Sequence, residues 1–540
     1  MNNCVIGISR ILTILACFCL FSFGAPRLIS AQTDSLPWDG PGSRADREAL
    51  FDYLLESTMA RESFSDIKNR NLGIDILSSM SKMKPEFLAA NTDELLFYAL
   101  SKLSSLRKDR HLSVTPVEGG IWLPAWGASS NPFEAPETKE LPVRFAVDYA
   151  QRDNYFVFVG NIAGDVSGVD PGDRLVAVNG APFGVYADKI QPYTRWSTEN
   201  GYWWKLAELI STTHFSIPRS LIRESAELQF EKPDGIRYTI ELQYEDPDFL
   251  DWTGYGIAKY SGFDLISDVQ TFDLYRHTSR SVLLLDWSGF REDLVADIDS
   301  LVSYARNEDI LDFDLVIDMT RSRGGSKGAY AIQHLSPKPF KTTFGNLKLS
   351  DITEPFVERK REEFRTNSVN DSGVSETIDD GAWLMDWLEG HVMPGLSDGQ
   401  DYSSDVPFKL AHAPMYSDGI LRPAPLHFSG DMVVLLGPKG GSHLDQFVSI
   451  VADNDLGFII GMPAGGYSNT WEWEETLVFP TTGRRIADYM WSIGHTIRPN
   501  GQVLEGNPAD VDVYLPQTRE NFAGYRDLLL DRAMQYLNNH

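Results

Sequence analysis

Residues 431–451 read DMVVLLGPKGGSHLDQFVSIV. Met432 to Leu436 form an unbroken apolar run with the length of a buried strand, and Phe447 to Val451 continue as a helix. Between them, Gly437-Pro438-Lys439-Gly440-Gly441-Ser442-His443-Leu444-Asp445 is a sharp turn that sets Ser442 at the start of that helix. A strand that is apolar throughout and feeds directly into a helix is the repeating unit of a mostly parallel sheet covered by helices. The same alternation runs from about residue 258 onward. Val282 to Leu285 is a strand, and Leu294, Ile298, Leu301, Val302 and Ala305 fall on one helical face. Leu315-Val316-Ile317 is the next strand, Gly324-Gly325 a turn, Ala329 to Leu335 a short helix and Phe458-Ile459-Ile460 a further strand. The fold class is α/β, with residues 258–540 as its main domain. Within it, residues 350–415 are charged and rich in Ser, Asp and Gly, and read as an insertion: a lid or a solvated spacer.

Working outward, residues 32–115 carry helical periodicity in Leu50, Tyr53 and Leu54 and again from Leu95 to Leu103, a small helical N-terminal domain. It ends at Lys108-Asp109-Arg110-His111, where the chain becomes extended. Residues 116–257 are strand-like and form a β-rich domain. Inside it, Pro171-Gly172 sets a tight turn before Asp173, Arg174 to Val178 is a strand, and Asn179-Gly180 has the residue types of a positive-φ hairpin turn. Residues 11–25 are nearly all apolar and follow a short polar start with Arg10, the layout of a secretory signal spanning residues 1–31 and pointing to a secreted or periplasmic protein. All three cysteines, Cys4, Cys17 and Cys19, lie in that segment, which leaves the rest of the chain without thiol chemistry. Ile14-Leu15-Ala16-Cys17 only loosely resembles a lipoprotein site, because more apolar residues follow it.

The 540 residues carry 48 Lys plus Arg against 76 Asp plus Glu, a net charge of −28, which repels phosphate backbones and anionic lipid. A nucleic-acid partner is disfavoured, no later segment is apolar and long enough to span a bilayer, and oligomerisation stays open. The histidines show no ligand spacing, so no metal or other cofactor is expected.

Chemistry is sought at the carboxyl ends of the parallel strands. Asp318-Met319-Thr320-Arg321-Ser322-Arg323-Gly324-Gly325 offers backbone amides to an anion, or is merely a tight strand-to-helix turn. Ser442 either caps its helix, with Asp445 completing a capping box, or is a nucleophile raised on a strand-to-helix turn. His111, taken alone, reads as a surface residue at the end of a helical segment.

The order of these features resembles the C-terminal-processing and tricorn-type serine peptidases. It comprises a secretion signal, a helical segment, the Pro171-to-Gly180 string similar to bacterial PDZ domains, a strand ending in Asp-x-x-x-x-x-Gly-Gly, a Gly-Ser turn, and a closing Gly506-x-Pro508-x-Asp510 segment. The resemblance implies a crotonase-like fold for the main domain and a PDZ-like β-rich domain that presents a polypeptide substrate, through a free C-terminus where one is available. It implies Ser442 as nucleophile, with Gly324, Gly325 and the amide of His443 as oxyanion hole. One branch of the family uses a lysine after the serine, and no lysine follows Lys439 here. The other uses a histidine and a glutamate, which implies His111 and Glu505; Glu472, Glu474 and Glu475 are rivals that alternate with Trp471 and Trp473 like a solvent face. Thr320, Ser322 and His443 depart from the family pattern and leave room for an inactive peptide- or lipid-binding member. An esterase with the same triad is the other alternative.

Overall fold

The computed structural model describes residues 39–121, 138–252, 260–370, 384–407, 419–467 and 471–539. The expected signal segment and the three cysteines lie outside them.

Five helices open the described chain: α1 (Arg44–Arg61), α2 (Ser65–Leu72), α3 (Ile76–Lys82), α4 (Lys84–Ala89) and α5 (Asp93–Leu106). Their starts are encoded locally. Ser43 and Asp46 make a reciprocal capping box on α1, and the Thr92 side chain accepts the Leu95 N–H on α5. Leu50, Leu54, Leu96, Leu100 and Leu103 bury their side chains in a core shared with the C-terminal half. The chain leaves α5 through Lys108, at φ 53°, and enters β1 (Val114–Thr115). That strand pairs antiparallel with β21 (Arg485–Ser492), itself paired with β20 (Glu472–Val478). The pairing brings residues 108–111 against a part of the chain nearly four hundred residues away, a contact no local pattern encodes.

The β-rich module holds β2 (Val143–Asp148), β3 (Phe156–Ile162), β4 (Arg174–Val178), β5 (Ala181–Pro182), β6 (Ser225–Glu231) and β7 (Arg237–Gln243), with helices α6 (Phe183–Ile190) and α7 (Glu199–Ser211). Its sheet runs β2-β3-β4-β6-β7 around a core of its own. Asn179 and Gly180 sit at φ 50° and 75° and close the β4–β5 hairpin, as a two-residue turn of this twist requires.

The main sheet has seven strands: β8 (Phe263–Asp268), β9 (Phe272–His277), β10 (Val282–Trp287), β12 (Asp314–Asp318), β18 (Met432–Leu436), β19 (Phe458–Gly461) and β23 (Val513–Tyr514). Their order is β23-β19-β18-β12-β10-β9-β8, parallel from β23 to β10 and antiparallel beyond. Alternate residues serve opposite faces. Leu283, Leu285 and Ile317 join the core under α8 (Leu294–Asn307), α9 (Gly328–Leu335) and α11 (His443–Asp453). Leu284, Val316, Val433 and Leu435 face Leu529, Leu530 and Ala533 of α12 (Tyr525–Leu537). Coverage on both sides explains why these strands read as continuous apolar runs. The short strands β11 (Gly289–Phe290) and β13 (Arg323–Gly325) pair in parallel above the carboxyl ends of β10 and β12.

Of the two readings of residues 350–415, packing wins over solvation in the described parts. Phe356 and Val357 of α10 (Thr353–Asn370), then Met385, Trp387, Leu388 and Val392, enter the main core. Short strands β14 (Phe340–Lys341), β15 (Phe344–Leu347), β16 (Val406–Pro407), β17 (Ile420–Leu421) and β22 (Gly494–Ile497) form two small side sheets. Among the described residues no helix is long and apolar enough to cross a membrane.

Candidate active site

β18 ends at Leu436, and the chain turns through Gly437 to Gly441 into α11. Both glycines before the serine are dictated by space. A side chain on Gly440 would run into Leu444, and one on Gly441 would overlap the Tyr467 ring, each at 1.9 Å. Ser442 itself lies at φ 61°, ψ −125°, a conformation that costs a residue with a side chain ~1–3 kcal/mol. Its hydroxyl makes no capping bond to the helix it precedes, so the bland reading of this serine as an N-cap does not hold. Asp445 caps nothing there either; its Oδ2 accepts the Tyr467 N–H at 3.1 Å, and burial pushes its carboxyl well above the usual range.

The glycine turn after β12 packs directly on this serine. A Cβ on Gly324 would stand 2.6 Å from Ser442 Cβ and 3.1 Å from its Oγ. Gly325, at φ 149°, is locked against Phe290 of β11, whose carbonyl a Cβ would strike. His443 opens α11, so its own N–H has no acceptor inside the helix. Its buried ring accepts the Gly328 N–H at 2.6 Å on Nε2, and burial drops its pKa to about 3, so it stays neutral and ties the start of α9 to the start of α11. Thr320 closes the preceding turn through its N–H and hydroxyl, both donated to Asp318 Oδ1 at 2.9 and 2.6 Å, and Ser322 is fully buried. Thr320 and His443, two of the departures from the pattern the resemblance implies, thus each have a local structural task.

A second group of side chains converges beside this turn. His111 follows Lys108, and its N–H donates to Asp109 Oδ1 at 2.8 Å, while its ring Nδ1 lies 3.6 Å from the same oxygen. Asp109 and Glu505 are both fully buried. Between them sits Lys68 of α2, also buried, with Nζ 2.9 Å from Glu505 Oε1 and 3.8 Å from Asp109 Oδ2. Asp109, His111 and Glu505 each place one potential ligand atom within 4.8 Å of the others, but the Lys68 ammonium supplies the positive charge there. Burial opposes the charge on Asp109, yet Lys68 and His111 outweigh it and hold that carboxyl below the usual range. For Glu505, burial and the neighbouring Asp109 charge prevail and raise it. Burial also opposes the imidazolium of His111, and Asp109, Glu472 and Glu505 overcome it, so its pKa lies above the ordinary value. Arg195, its own pKa lowered by burial to about 10, donates to the carbonyls of His111 and Leu112 at 3.3 and 3.0 Å and anchors the segment.

The two groups meet at Tyr467. Its ring stands edge-on to the His111 ring, 5.0 Å between centres, and covers Gly441, while its carbonyl accepts the Ser442 N–H at 2.5 Å. Arg110 stacks over Tyr467 and Trp204, at 4.5 and 4.8 Å, and reaches the Lys439 carbonyl at 3.4 Å. No hydrogen bond joins His111 to Ser442 among the described residues. Of the rival acids, Glu475 is held by Arg61 and Tyr53, and Glu474 is exposed. Glu472 faces the site, where burial lifts its pKa to about 7 and His111 pulls it back; it is not the solvent-face residue that alternation with tryptophan suggests. Pro171, Gly172, Asp173, Asn179 and Gly180 lie apart, within the β-rich module. Sequence reading did not single out Lys68, Tyr467 or Arg195. Asp109 was visible only as part of an Asp-x-His string.

No protein-family model and no curated protein sequence matches the chain. Among solved structures, mature CPAF superposes with a TM-score of 0.67 at 17% identity, covering 92% of this chain and 99% of that one. Mature CPAF complexed with lactacystin gives 0.65 at 16% identity, with 92% and 100% covered. Over nearly its whole described length, therefore, the chain has the fold of mature CPAF.

Proposed function

We propose that the chain is a serine endopeptidase in which Ser442 is the nucleophile and His111 the general base, with Glu505 and Asp109 as the acids behind the ring. The observation that carries this reading is the strained backbone of Ser442, at φ 61° and ψ −125°, with no capping bond and with Gly324 pressed against it. Strain persists where the surroundings hold it for a purpose, and a serine on a sharp strand-to-helix turn is the geometry that exposes a nucleophilic hydroxyl. Because Nδ1 of His111 faces Asp109, Nε2 is the atom left to take the serine proton as Oγ attacks a peptide carbonyl. The carboxylates then offset the imidazolium charge. The N–H groups of Gly324, Gly325 and His443 would hold the tetrahedral oxyanion, each donor being worth about 10²- to 10³-fold in kcat. Water resolves the acyl-enzyme by the same route. The main domain would be crotonase-like, and the β-rich module PDZ-like, presenting a polypeptide to the cleft.

Labelling of the full chain with a fluorophosphonate probe tests the reading. Covalent labelling at Ser442 is expected, absent in Ser442→Ala and strongly reduced in His111→Ala; an unlabelled wild-type chain would overturn it. Lactacystin, with which CPAF was solved, is a second ligand for the same assay.

A further inference from the structure

The glycine turn beside Ser442 stands on two roots. β11 begins three residues after Asp286, near the carboxyl end of β10, and β13 begins five residues after Asp318, at the carboxyl end of β12. Asp286 and Asp318 lie directly opposite each other in the parallel register of β10 and β12, and both are buried. Two carboxylates side by side and away from water repel each other. Burial and then the Asp318 charge push the Asp286 carboxyl up to about 7, with Arg321 pulling it back and Asp273 adding to the rise.

The cation that spans the two acids comes from 208 residues beyond Asp318. Arg526 of α12 donates from Nε and Nη2 to Asp318 Oδ2 at 2.8 and 2.7 Å, and its Nη2 also reaches Asp286 Oδ2 at 3.1 Å. The guanidinium lies over the Tyr260 ring, 4.7 Å from its centre, and the Tyr260 hydroxyl donates to the same Asp318 oxygen at 2.8 Å. The other Asp318 oxygen closes the glycine turn through Thr320, and Arg321 of that turn donates to Asp286 Oδ2 at 2.6 Å. Nothing local favours an arginine at position 526. It lies in the first turn of α12, where the helix dipole disfavours a cation, so the two carboxylates account for its place.

We infer that Arg526 is a positioning residue for the glycine turn: by bridging Asp286 and Asp318 it fixes the roots of β11 and β13 and so holds Gly324 against Ser442. Its consequence for turnover rests on the peptidase reading, whereas its hold on the turn can be measured without turnover. A fork of N–H groups suits the task, because one planar group must meet two carboxylates at once.

Hydrogen–deuterium exchange of the full chain, followed by mass spectrometry, reads the turn directly. In Arg526→Met, peptides within residues 319–328 should exchange about tenfold faster than in wild type, while those within residues 432–451 keep their rate. Adding Asp286→Asn removes the repulsion and should recover about a third or more of that change. Kinetics with dye-labelled casein read the consequence. The kcat of Arg526→Met should fall about tenfold or more with KM within about twofold, since displaced oxyanion donors act on the transition state, and Asp286→Asn should again restore part of the loss. Unchanged exchange at 319–328, exchange raised equally at 432–451, no recovery in the double variant, or an unchanged kcat would each overturn the inference. A wild-type chain that neither cleaves casein nor takes the fluorophosphonate probe would remove the peptidase reading alone, and the exchange rates would still decide whether Arg526 holds the turn.

Discussion

The turn that carries Ser442 and the pocket that holds His111 are built on opposite principles. Residues 437–442 form a backbone device. Two glycines, a positive φ and the close approach of Gly324 shape it, and nearly everything it needs lies within one short stretch and one neighbouring turn. The imidazole pocket is a side-chain device, with buried Lys68, Asp109 and Glu505 and partly exposed His111 arriving from three remote parts of the chain. The contrast teaches where each is fragile: the turn fails sterically, and the pocket fails electrostatically.

The largest effect is expected from Lys68→Met. Removing the one ammonium between two buried carboxyls should cost about 3–5 kcal/mol, since breaking a buried pair strands the remaining charge. Urea unfolding would measure it, and Lys68→Met with Glu505→Gln should recover part of the loss. A Lys68→Met chain as stable as wild type would mean that the pocket is not held by charge.

Next is Gly324→Ala, whose methyl group has no room beside Ser442. It should lower kcat/KM by about 10²-fold or more, the scale of a lost oxyanion donor, with the circular dichroism spectrum unchanged. Retained activity would remove Gly324 from the site.

A smaller, directional effect is expected for Asp109→Asn. The base must be neutral, and in wild type the His111 pKa is raised, so kcat/KM should fall as the pH drops through a value above that of ordinary imidazole. Without the Asp109 charge that acid limb should move to lower pH. A limb that stays in place would separate Asp109 from the imidazole.

Smallest of all, Ser442→Gly should raise stability by about 1 kcal/mol, seen as a higher Tm, while abolishing probe labelling. No gain in Tm would mean that the backbone of Ser442 stores no strain.

The same contrast explains what could be read in advance. The runs at 282–285, 315–317 and 432–436 and the helical face of Leu294, Ile298, Leu301, Val302 and Ala305 were legible because burial imposes a period on neighbouring residues. The Gly-Gly-Ser turn was legible because tight turns demand particular residues in a row. Asp445 misled, since its apparent capping spacing is used for a bond to Tyr467. Glu472 misled because alternation with Trp471 and Trp473 looks like a solvent face when the strand in fact lies against the pocket. Nothing near Lys68 in the sequence sets it apart from other helical lysines.

The order of residues alone therefore determined the strands and helices, the hairpin at Asn179-Gly180 and the sharpness of the turn before Ser442, because each depends on contacts between neighbours in the chain. Only the folded molecule decided that Lys68 lies between Asp109 and Glu505 and that Tyr467 touches both halves of the site. Those arrangements depend on which distant surfaces dock, and the docking is driven by apolar burial at β1, β20 and β21, a force that carries no label for the charged groups it brings along.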